Sequence, residues 1–184
     1  MSHTPPSRPW EKVGADLFSF HGQDYLITVD YLSGYFEVDR LPSKKIADVI
    51  YALRLQFARQ GIPLEMVTDN SPFGAAEFKN FADRWEFTHT TSSPRFPQSN
   101  GRSENAVKTA KRLMLKACES GSDPLLALLD WRNTPSEQLG SSPAQIMFGR
   151  RTRTRLPMSN ILLTTPIAPA ARDAITAAKH RQAS

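Results

Sequence analysis

The sequence has a single cysteine, Cys118, among 184 residues. One cysteine excludes an internal disulfide, and no CxxC pair accompanies the four histidines to complete a zinc site. Long apolar runs are also lacking, because no stretch approaches the roughly eighteen apolar residues of a membrane span. The polar, proline-rich start has no apolar signal-peptide segment. We therefore expect a soluble, intracellular protein in a reducing compartment, with no membrane partner.

Basic residues outnumber acidic ones. The chain has 23 Lys and Arg against 18 Asp and Glu, a net charge of +5 and an isoelectric point near 9.6. Such a balance favours partners that carry phosphate. The length suffices for one compact domain with a sizeable core and a short tail, and no internal repeat divides it.

The first part of the chain predicts an antiparallel meander, because β-rich runs at residues 12–20, 24–32 and 35–42 are separated only by short turns. A helix follows, with Ser43 expected to cap its start and Gly61 its end. Strands and helices then alternate. The sequence thus predicts an α/β fold with a mixed five-stranded sheet, three antiparallel strands and then parallel ones, flanked by helices. This is the ribonuclease-H-like order of elements.

The pattern of apolar residues also divides the chain. Residues 1–11 are expected to form an N-terminal lead segment, and residues 12–157 form the core. After Pro157 the pattern fades, so residues 158–184 are expected to be a C-terminal linker or tail with weak, Ala-rich helical character.

Three acids stand at positions where an acid needs an explanation. Asp16 lies inside an apolar strand, Asp69 ends a short buried strand, and Glu104 lies at the head of a predicted helix. A charge inside an apolar strand needs a partner or a metal. The predicted sheet order places the two strands side by side and brings the helix across to them. Three converging carboxylates suit magnesium or manganese, and a pair of such ions catalyses in-line displacement at phosphorus.

The helix that begins near Asn100 has a charged face opposite an apolar one. The charged face carries Glu104, Lys108, Lys111 and Arg112. These residues could belong to a functional site. A simpler interpretation is that they form a helix face exposed to solvent, with Glu104 and Lys108 as an i,i+4 ion pair. Farther along, four arginines follow a capped helix in the run GRRTRTR, and Arg150 and Arg151 within it are candidates for phosphate contact.

Five segments carry a resemblance to a known family. They are VGADLF, MVTDNSPFGAAEF, SSPRFPQSNGRSENAVKTAKRLM, WRNTP and SSPAQIMFGRRTRTRLP. In this order they resemble the integrase core of Gypsy-type LTR retrotransposons, a relative of the retroviral integrase catalytic core in the DDE superfamily. The resemblance covers about residues 8–157. The sequence includes neither the zinc-binding module nor the C-terminal module of that family, so we expect a catalytic-core piece, or a decayed or truncated copy.

The resemblance implies a catalytic, metal-binding triad of Asp16, Asp69 and Glu104 with two Mg²⁺ or Mn²⁺ ions. It implies metal-dependent 3′-end processing of retrotransposon DNA and strand transfer into target DNA, the work of a polynucleotidyl transferase with associated endonuclease activity. It also implies a homo-oligomer that binds element ends and target DNA and acts in the nucleus after passage through the cytoplasm. In the family, residues matching Gln98 and Asn100 lie near the DNA ends, and residues matching Lys108 and Lys111 lie on DNA phosphates. Arg112, on the same helix face, is a further candidate for DNA contact.

Two alternatives stay open at the level of sequence. One is a non-catalytic DNA-binding or interaction module derived from an integrase, and the other is a ribonuclease-H-like nuclease, against which the integrase-like loop and the NTP and SPAQIMFG segments argue. Thirty-four residues separate Asp69 from Glu104, whereas the family usually has thirty-five. The shortfall lies in the loop after Asp69, so we expect the next helix to keep its frame.

Overall fold

The structure, a computed structural model, describes residues 6–92, 101–137 and 140–165. Its five strands are β1 (Lys12–Phe20), β2 (Gln23–Asp30), β3 (Phe36–Leu41), β4 (Glu65–Thr68) and β5 (Thr88–Thr91). Its helices are α1 (Ile46–Gln60), α2 (Ala76–Trp85), α3 (Gly101–Ser120), α4 (Pro124–Asn133), α5 (Pro143–Phe148) and α6 (Asn160–Leu163). The predicted meander and the later alternation of strands and helices are confirmed.

The strands form one sheet in the order β3-β2-β1-β4-β5. β1 pairs antiparallel with β2 and parallel with β4, and Ala15 lies opposite Thr68 at the last parallel pair. The mixed five-stranded sheet and its ribonuclease-H-like order were predicted from the sequence and are confirmed. The domain boundaries at residues 11 and 157 stay predictions.

Each face of the sheet is covered by its own helices, because alternate strand residues point to opposite faces. Ala15 packs with α1 and α2 in a core that includes Leu53 and Phe78. Phe18 packs on the other face, where Ala106 of α3 and Trp131 of α4 join it. Asp16 follows Ala15 and therefore lies on the face that α3 covers.

The turn between β4 and α2 accommodates the shortened segment. Phe73 within it is almost fully buried and packs edge-on against Phe78, with ring centroids 5.3 Å apart. The chain closes tightly on itself here, since a Cβ on Gly74 would lie 2.8 Å from the carbonyl oxygen of Asn70. α2 buries Phe78, Phe81 and Ala82 on its inner face, so the helix keeps its frame as expected.

Of the capping residues that the sequence predicts, Ser142, Gly149 and Gly61 are confirmed and Ser43 is wrong. α5 has Ser142 at its N-cap in a capping box, and Gly149 ends it in the left-handed region. Gly61 ends α1. The N-cap of α1, however, is Lys45 rather than Ser43, because the helix begins only at Ile46; the Ser43 hydroxyl accepts from the Lys45 N–H at 3.2 Å and donates to Asp48 at 2.6 Å.

None of the helices in the described part of the chain is both long and apolar enough to cross a membrane.

Candidate functional site

Asp16 lies one residue beyond the parallel pairing of β1 with β4. Its backbone still pairs with Ile27 of β2, and its half-buried carboxylate accepts a hydrogen bond from the backbone N–H of Leu17 at 2.7 Å. Pairing with β2 thus fixes the backbone of this acid, and the Leu17 N–H orients its carboxylate. The charge lies at the end of a strand pair, on the face that α3 covers.

Asp69 follows the last residue of β4 and is exposed. Because Ala15 pairs with Thr68, Asp16 and Asp69 are the next residues on two adjacent parallel strands. The Asp69 carboxylate accepts a hydrogen bond from the Ser92 hydroxyl at 2.8 Å, which ties it to the residue after β5. The predicted adjacency of the two strand ends is confirmed.

Glu104 lies exposed in the first turn of α3. The preceding residue, Ser103, is fully buried against Gly14 of β1. A Cβ on Gly14 would collide with the Ser103 hydroxyl and would lie 2.8 Å from Cε1 of Tyr31. The absence of a side chain at residue 14 therefore allows the first turn of α3 to approach β1 closely.

The three acids interact electrostatically. Burial raises the pKa of the Asp16 carboxyl above its usual value, the Leu17 N–H opposes that shift, and the charges of Asp69 and Glu104 raise the pKa further. Lys111 acts in the opposite direction and lowers it. The structure thus brings the three acids and Lys111 close enough to interact. The three carboxylates repel one another, and Lys111 partly offsets this repulsion.

A cation would relieve this repulsion, and an all-carboxylate oxygen set is the chemistry that Mg²⁺ and Mn²⁺ prefer. In residues 6–92, 101–137 and 140–165, no three acidic, histidine or cysteine side chains lie close enough together to enclose one ion. The acids are therefore neighbours without being a closed ligand set. Asp69 and Glu104 are exposed, so no core residues prevent their side chains from rotating.

The cations of α3 differ in their placement. Lys111 lies over the Phe18 ring, with its Nζ 5.7 Å from the ring centroid, and its charge acts on Asp16. Lys108 and Arg112 are exposed on the same helix. Among ion pairs between described residues, Glu104 makes none with Lys108. The i,i+4 pair that the simpler interpretation required is absent from this part of the structure.

The two arginines after α5 are half-buried. Arg150 donates from Nη1 to the carbonyl oxygen of Arg151 at 3.2 Å. The backbone N–H of Arg151 donates to the carbonyl oxygen of Leu162 in α6 at 2.7 Å, and its buried Nε has no partner among the described residues. Their role in phosphate contact stays a prediction. Gln98 and Asn100 lie outside the described residues.

Residues that support Asp69 were missed by the sequence reasoning. The Thr68 hydroxyl lies 2.8 Å from Nε2 of His89 on the neighbouring strand and 2.8 Å from the carbonyl oxygen of Asp69. Burial lowers the pKa of His89, and its ring packs edge-on against Phe78. A histidine in a strand gives no sequence signal for such a contact, because the partner depends on the pairing of β4 with β5.

Solved structures share this arrangement of elements. The catalytic core domain of BIV integrase superimposes with a TM-score of 0.65 at 22% identity, covering 76% of this chain and 95% of that one. The HTLV-2 integrase catalytic core domain in complex with magnesium gives 0.63 at 21% identity, covering 77% and 98%. The chain has the integrase catalytic-core fold. A chain of the simian T-cell lymphotropic virus intasome in complex with PP2A regulatory subunit B56 gamma matches this fold with a TM-score of 0.67 at 21% identity, covering 90% of this chain and 61% of that one.

Sequence comparison gives relatives that include two Pol-type polyproteins. The integrase-fold chain is 32% identical over 160 residues to the uncharacterized protein K02A2.6 of Caenorhabditis elegans, and 29% identical over 113 residues to the Pol-related polyprotein of a mouse intracisternal A-particle. These matches cover 83% and 60% of the chain but only 13% of each relative. The Gag-Pro-Pol polyprotein of mouse mammary tumor virus is 29% identical over 96 residues, or 52% of the chain and 6% of that relative. No family model matches the chain.

Proposed function

We propose that this integrase-fold chain is the catalytic core of a DDE-type polynucleotidyl transferase that processes the 3′ ends of retrotransposon DNA and transfers them into target DNA. One observation carries the proposal. Asp16, at the end of the β1–β4 pair, interacts with the charges of both Asp69 and Glu104, on the fold that integrase cores share.

Asp16, Asp69 and Glu104 would hold two Mg²⁺ or Mn²⁺ ions. When bound, such a pair activates an attacking hydroxyl and stabilises the leaving oxygen in displacement at phosphorus. The similar HTLV-2 core is described in complex with magnesium. In this chain, the Leu17 N–H and the Ser92 hydroxyl orient two of the carboxylates through hydrogen bonds of 2.7 and 2.8 Å.

The DNA path in this proposal follows the charged face of α3. Lys108, Lys111 and Arg112 are exposed there, and Lys111 already lies in the field of Asp16. Cations beside a phosphoryl-transfer site contact backbone phosphates and position the duplex rather than read its bases. Arg150 and Arg151 would extend this contact, and Gln98 and Asn100 would lie near the DNA ends.

We also propose that the protein acts as a homo-oligomer in the nucleus, which it reaches from the cytoplasm. The similar structures include an intasome and cores in trimeric and dimeric forms, which supports a homo-oligomer here. A second candidate, a non-catalytic DNA-binding module, is favoured by one observation: the three acids do not form a closed ligand set in the described residues.

The deciding experiment offers the protein duplexes that carry terminal-repeat ends, with magnesium or manganese. We expect 3′ nicking and strand-transfer products from the wild type and from Asp130→Asn, which changes an exposed acid on α4. Asp69→Asn should yield neither product. Salt-sensitive DNA binding without products in either metal would instead establish the non-catalytic module.

A further inference from the structure

A cavity of about 350 Å³ opens on the flank of α3, beside the core face of the helix, where Ala106 lines it. Its walls come from α3, α4, β2, β3 and the turn between β2 and β3. Its lining includes Gly34, Phe36, Arg102, Asn105, Thr109 and Trp131. This volume is at the lower end of the range for ligand pockets. None of the residues assigned to the metal site lines it.

The α3 wall is polar. Arg102, Asn105 and Thr109 follow at spacings of three and four residues and therefore share one face of the helix. The Asn105 amide and the Thr109 hydroxyl have no hydrogen-bond partner in the parts of the chain that the structure describes. The Arg102 guanidinium lies 5.8 Å from the centroid of the Tyr31 ring. The wall thus offers an amide, a hydroxyl and a cation to a ligand.

The opposite wall is aromatic and firmly held. The rings of Trp131 and Phe36 lie 4.6 Å apart at a tilt of 41°. Arg132 fixes α4 to β3, because its Nε donates to the carbonyl oxygen of Phe36 at 3.1 Å and its Nη2 pairs with Glu37 at 3.1 Å. The indole is therefore held in place and remains half-exposed.

The rim of the cavity is also fixed. The buried Asp30 carboxylate accepts hydrogen bonds from the Ser33 N–H at 2.8 Å and the Ser33 hydroxyl at 2.5 Å, which closes the turn after β2. Gly34 in this turn has a φ of 71°, a conformation that favours glycine. The walls are therefore formed before any ligand arrives.

We propose that this cavity binds one unpaired nucleobase of the DNA strand that crosses α3. A flat, held indole suits stacking with a base of any sequence, and an asparagine amide pairs with the donors and acceptors of a base edge. Arg102 supplies positive charge for the attached phosphate. The ligand must be unpaired, because a base inside a duplex is stacked on both faces and cannot reach the indole.

The position of the cavity connects it with the DNA path. Asn105 follows Glu104 directly, so the two side chains leave α3 about 100° apart around the helix. Arg112 lies between the two directions. A strand that runs along the face of Lys108 would therefore pass the mouth of the cavity. This inference rests on the proposed DNA-binding function.

The test compares three DNA ligands with equal numbers of phosphates near the end: a blunt duplex, a duplex with a short single-stranded overhang, and the same overhang without bases. Binding is measured by fluorescence anisotropy at fixed salt. We expect the overhang with bases to bind about fivefold tighter or more than the abasic overhang, from stacking alone. A 2-aminopurine base in the overhang should be quenched on binding by the indole of Trp131.

Variants assign the effect to the cavity. Asn105→Ala and Trp131→Leu should each reduce the preference for bases over abasic sites while leaving blunt-duplex affinity unchanged. Asn80→Ala, the same substitution at an exposed position of α2, should retain the full preference. Because Trp131 also packs against Phe36, the double variant Asn105→Ala/Thr109→Val keeps the test valid if Trp131→Leu fails to fold.

The outcomes separate this inference from the proposed function. Equal binding of the two overhangs, with intact salt-sensitive binding of the blunt duplex, overturns the nucleobase site alone. Failure to bind any duplex overturns both. If Asn105→Ala instead abolishes self-association and changes no DNA preference, the cavity belongs to a contact between copies of the chain and the nucleobase assignment is wrong.

Discussion

Asn133 and Thr152 bind each other through two hydrogen bonds in opposite directions. The Asn133 Oδ1 accepts from the Thr152 N–H at 2.8 Å, and its Nδ2 donates to the Thr152 hydroxyl at 2.7 Å. Asn133 ends α4 and is 7% exposed, so both bonds are shielded from water. This pair attaches the arginine-rich segment after α5 to the end of α4.

Replacing Asn133 by Ala should lower the free energy of unfolding by about 1–3 kcal/mol, because the Thr152 N–H and hydroxyl lose their partner together. Thr152→Val removes only the side-chain bond and should cost less. Urea unfolding of the two variants measures the difference. Equal losses would show that the backbone bond to Thr152 contributes nothing.

Magnesium should stabilise the wild-type protein against heat. At ten times the dissociation constant, binding to the folded state alone adds about 1.4 kcal/mol to the free energy of unfolding. Asp69→Asn should weaken this response, since it removes one of the three facing charges, whereas Asp130→Asn should retain it. If Asp69→Asn is stabilised by magnesium as much as the wild type, the ion does not bind at Asp69.

The lysines of α3 should contribute to DNA affinity through phosphates. If Lys108 and Lys111 each make one contact, their joint replacement by Ala should lower the magnitude of the slope of log K against log salt by about two for every duplex sequence. Lys44 and Lys79, two exposed lysines outside α3, provide a matched double variant that should keep the wild-type slope. If replacing Lys108 and Lys111 leaves the slope unaltered, the DNA does not follow the proposed path along α3.

His89 should make stability depend on pH. Burial lowers its pKa in the folded state below the ordinary value of 6.5, so between the two values the unfolded chain binds more protons and stability rises with pH. The contribution is complete above pH 6.5 and is lost as the pH falls through the folded value.

Urea unfolding at pH 7.5 and 5.0 measures this effect. His89→Gln should lose less stability than the wild type on acidification, whereas His21→Gln, at an exposed turn residue, should behave like the wild type. If His89→Gln loses as much stability on acidification as the wild type, the pH dependence comes from other titratable groups.

Gly14→Ala should disturb the packing of the first turn of α3 against β1. The added methyl would collide with the Ser103 hydroxyl, and overpacking of this kind costs about 1–3 kcal/mol. Because Glu104 follows Ser103, the magnesium response should also weaken. Ser103→Ala removes the nearest colliding atom and should restore part of both, as thermal unfolding with and without magnesium would show.

The sequence predicted the sheet and the adjacency of Asp16 with Asp69, because both follow from strand order and from the run of apolar residues in β1 and β4. It did not predict the N-cap of α1: Ser43 has the right residue type, but the helix begins only at Ile46, and the Ser43 hydroxyl bonds the Lys45 N–H and Asp48. Local propensity identifies a suitable capping residue but does not fix the residue at which a helix begins.

Contacts between distant segments were also beyond sequence reasoning. The Ser92 bond to Asp69, the His89 contact with Thr68 and the Asn133–Thr152 pair all join side chains that the fold alone brings together. The aromatic wall of the α3 cavity belongs to the same class, because the WRNTP segment gives no sign that Trp131 faces Asn105 across a gap.

The parallel pairing of β1 with β4 has a consequence for how the molecule folds. The β1–β2 hairpin joins near neighbours in the chain, but Ala15 meets Thr68 only after all of β3 and α1 has been looped out. Closing such a loop costs entropy before any contact repays it, and non-local strand pairs therefore form slowly. Asp16 and Asp69 become neighbours only at that late step, so partly folded chains with a complete hairpin should lack the acid cluster altogether.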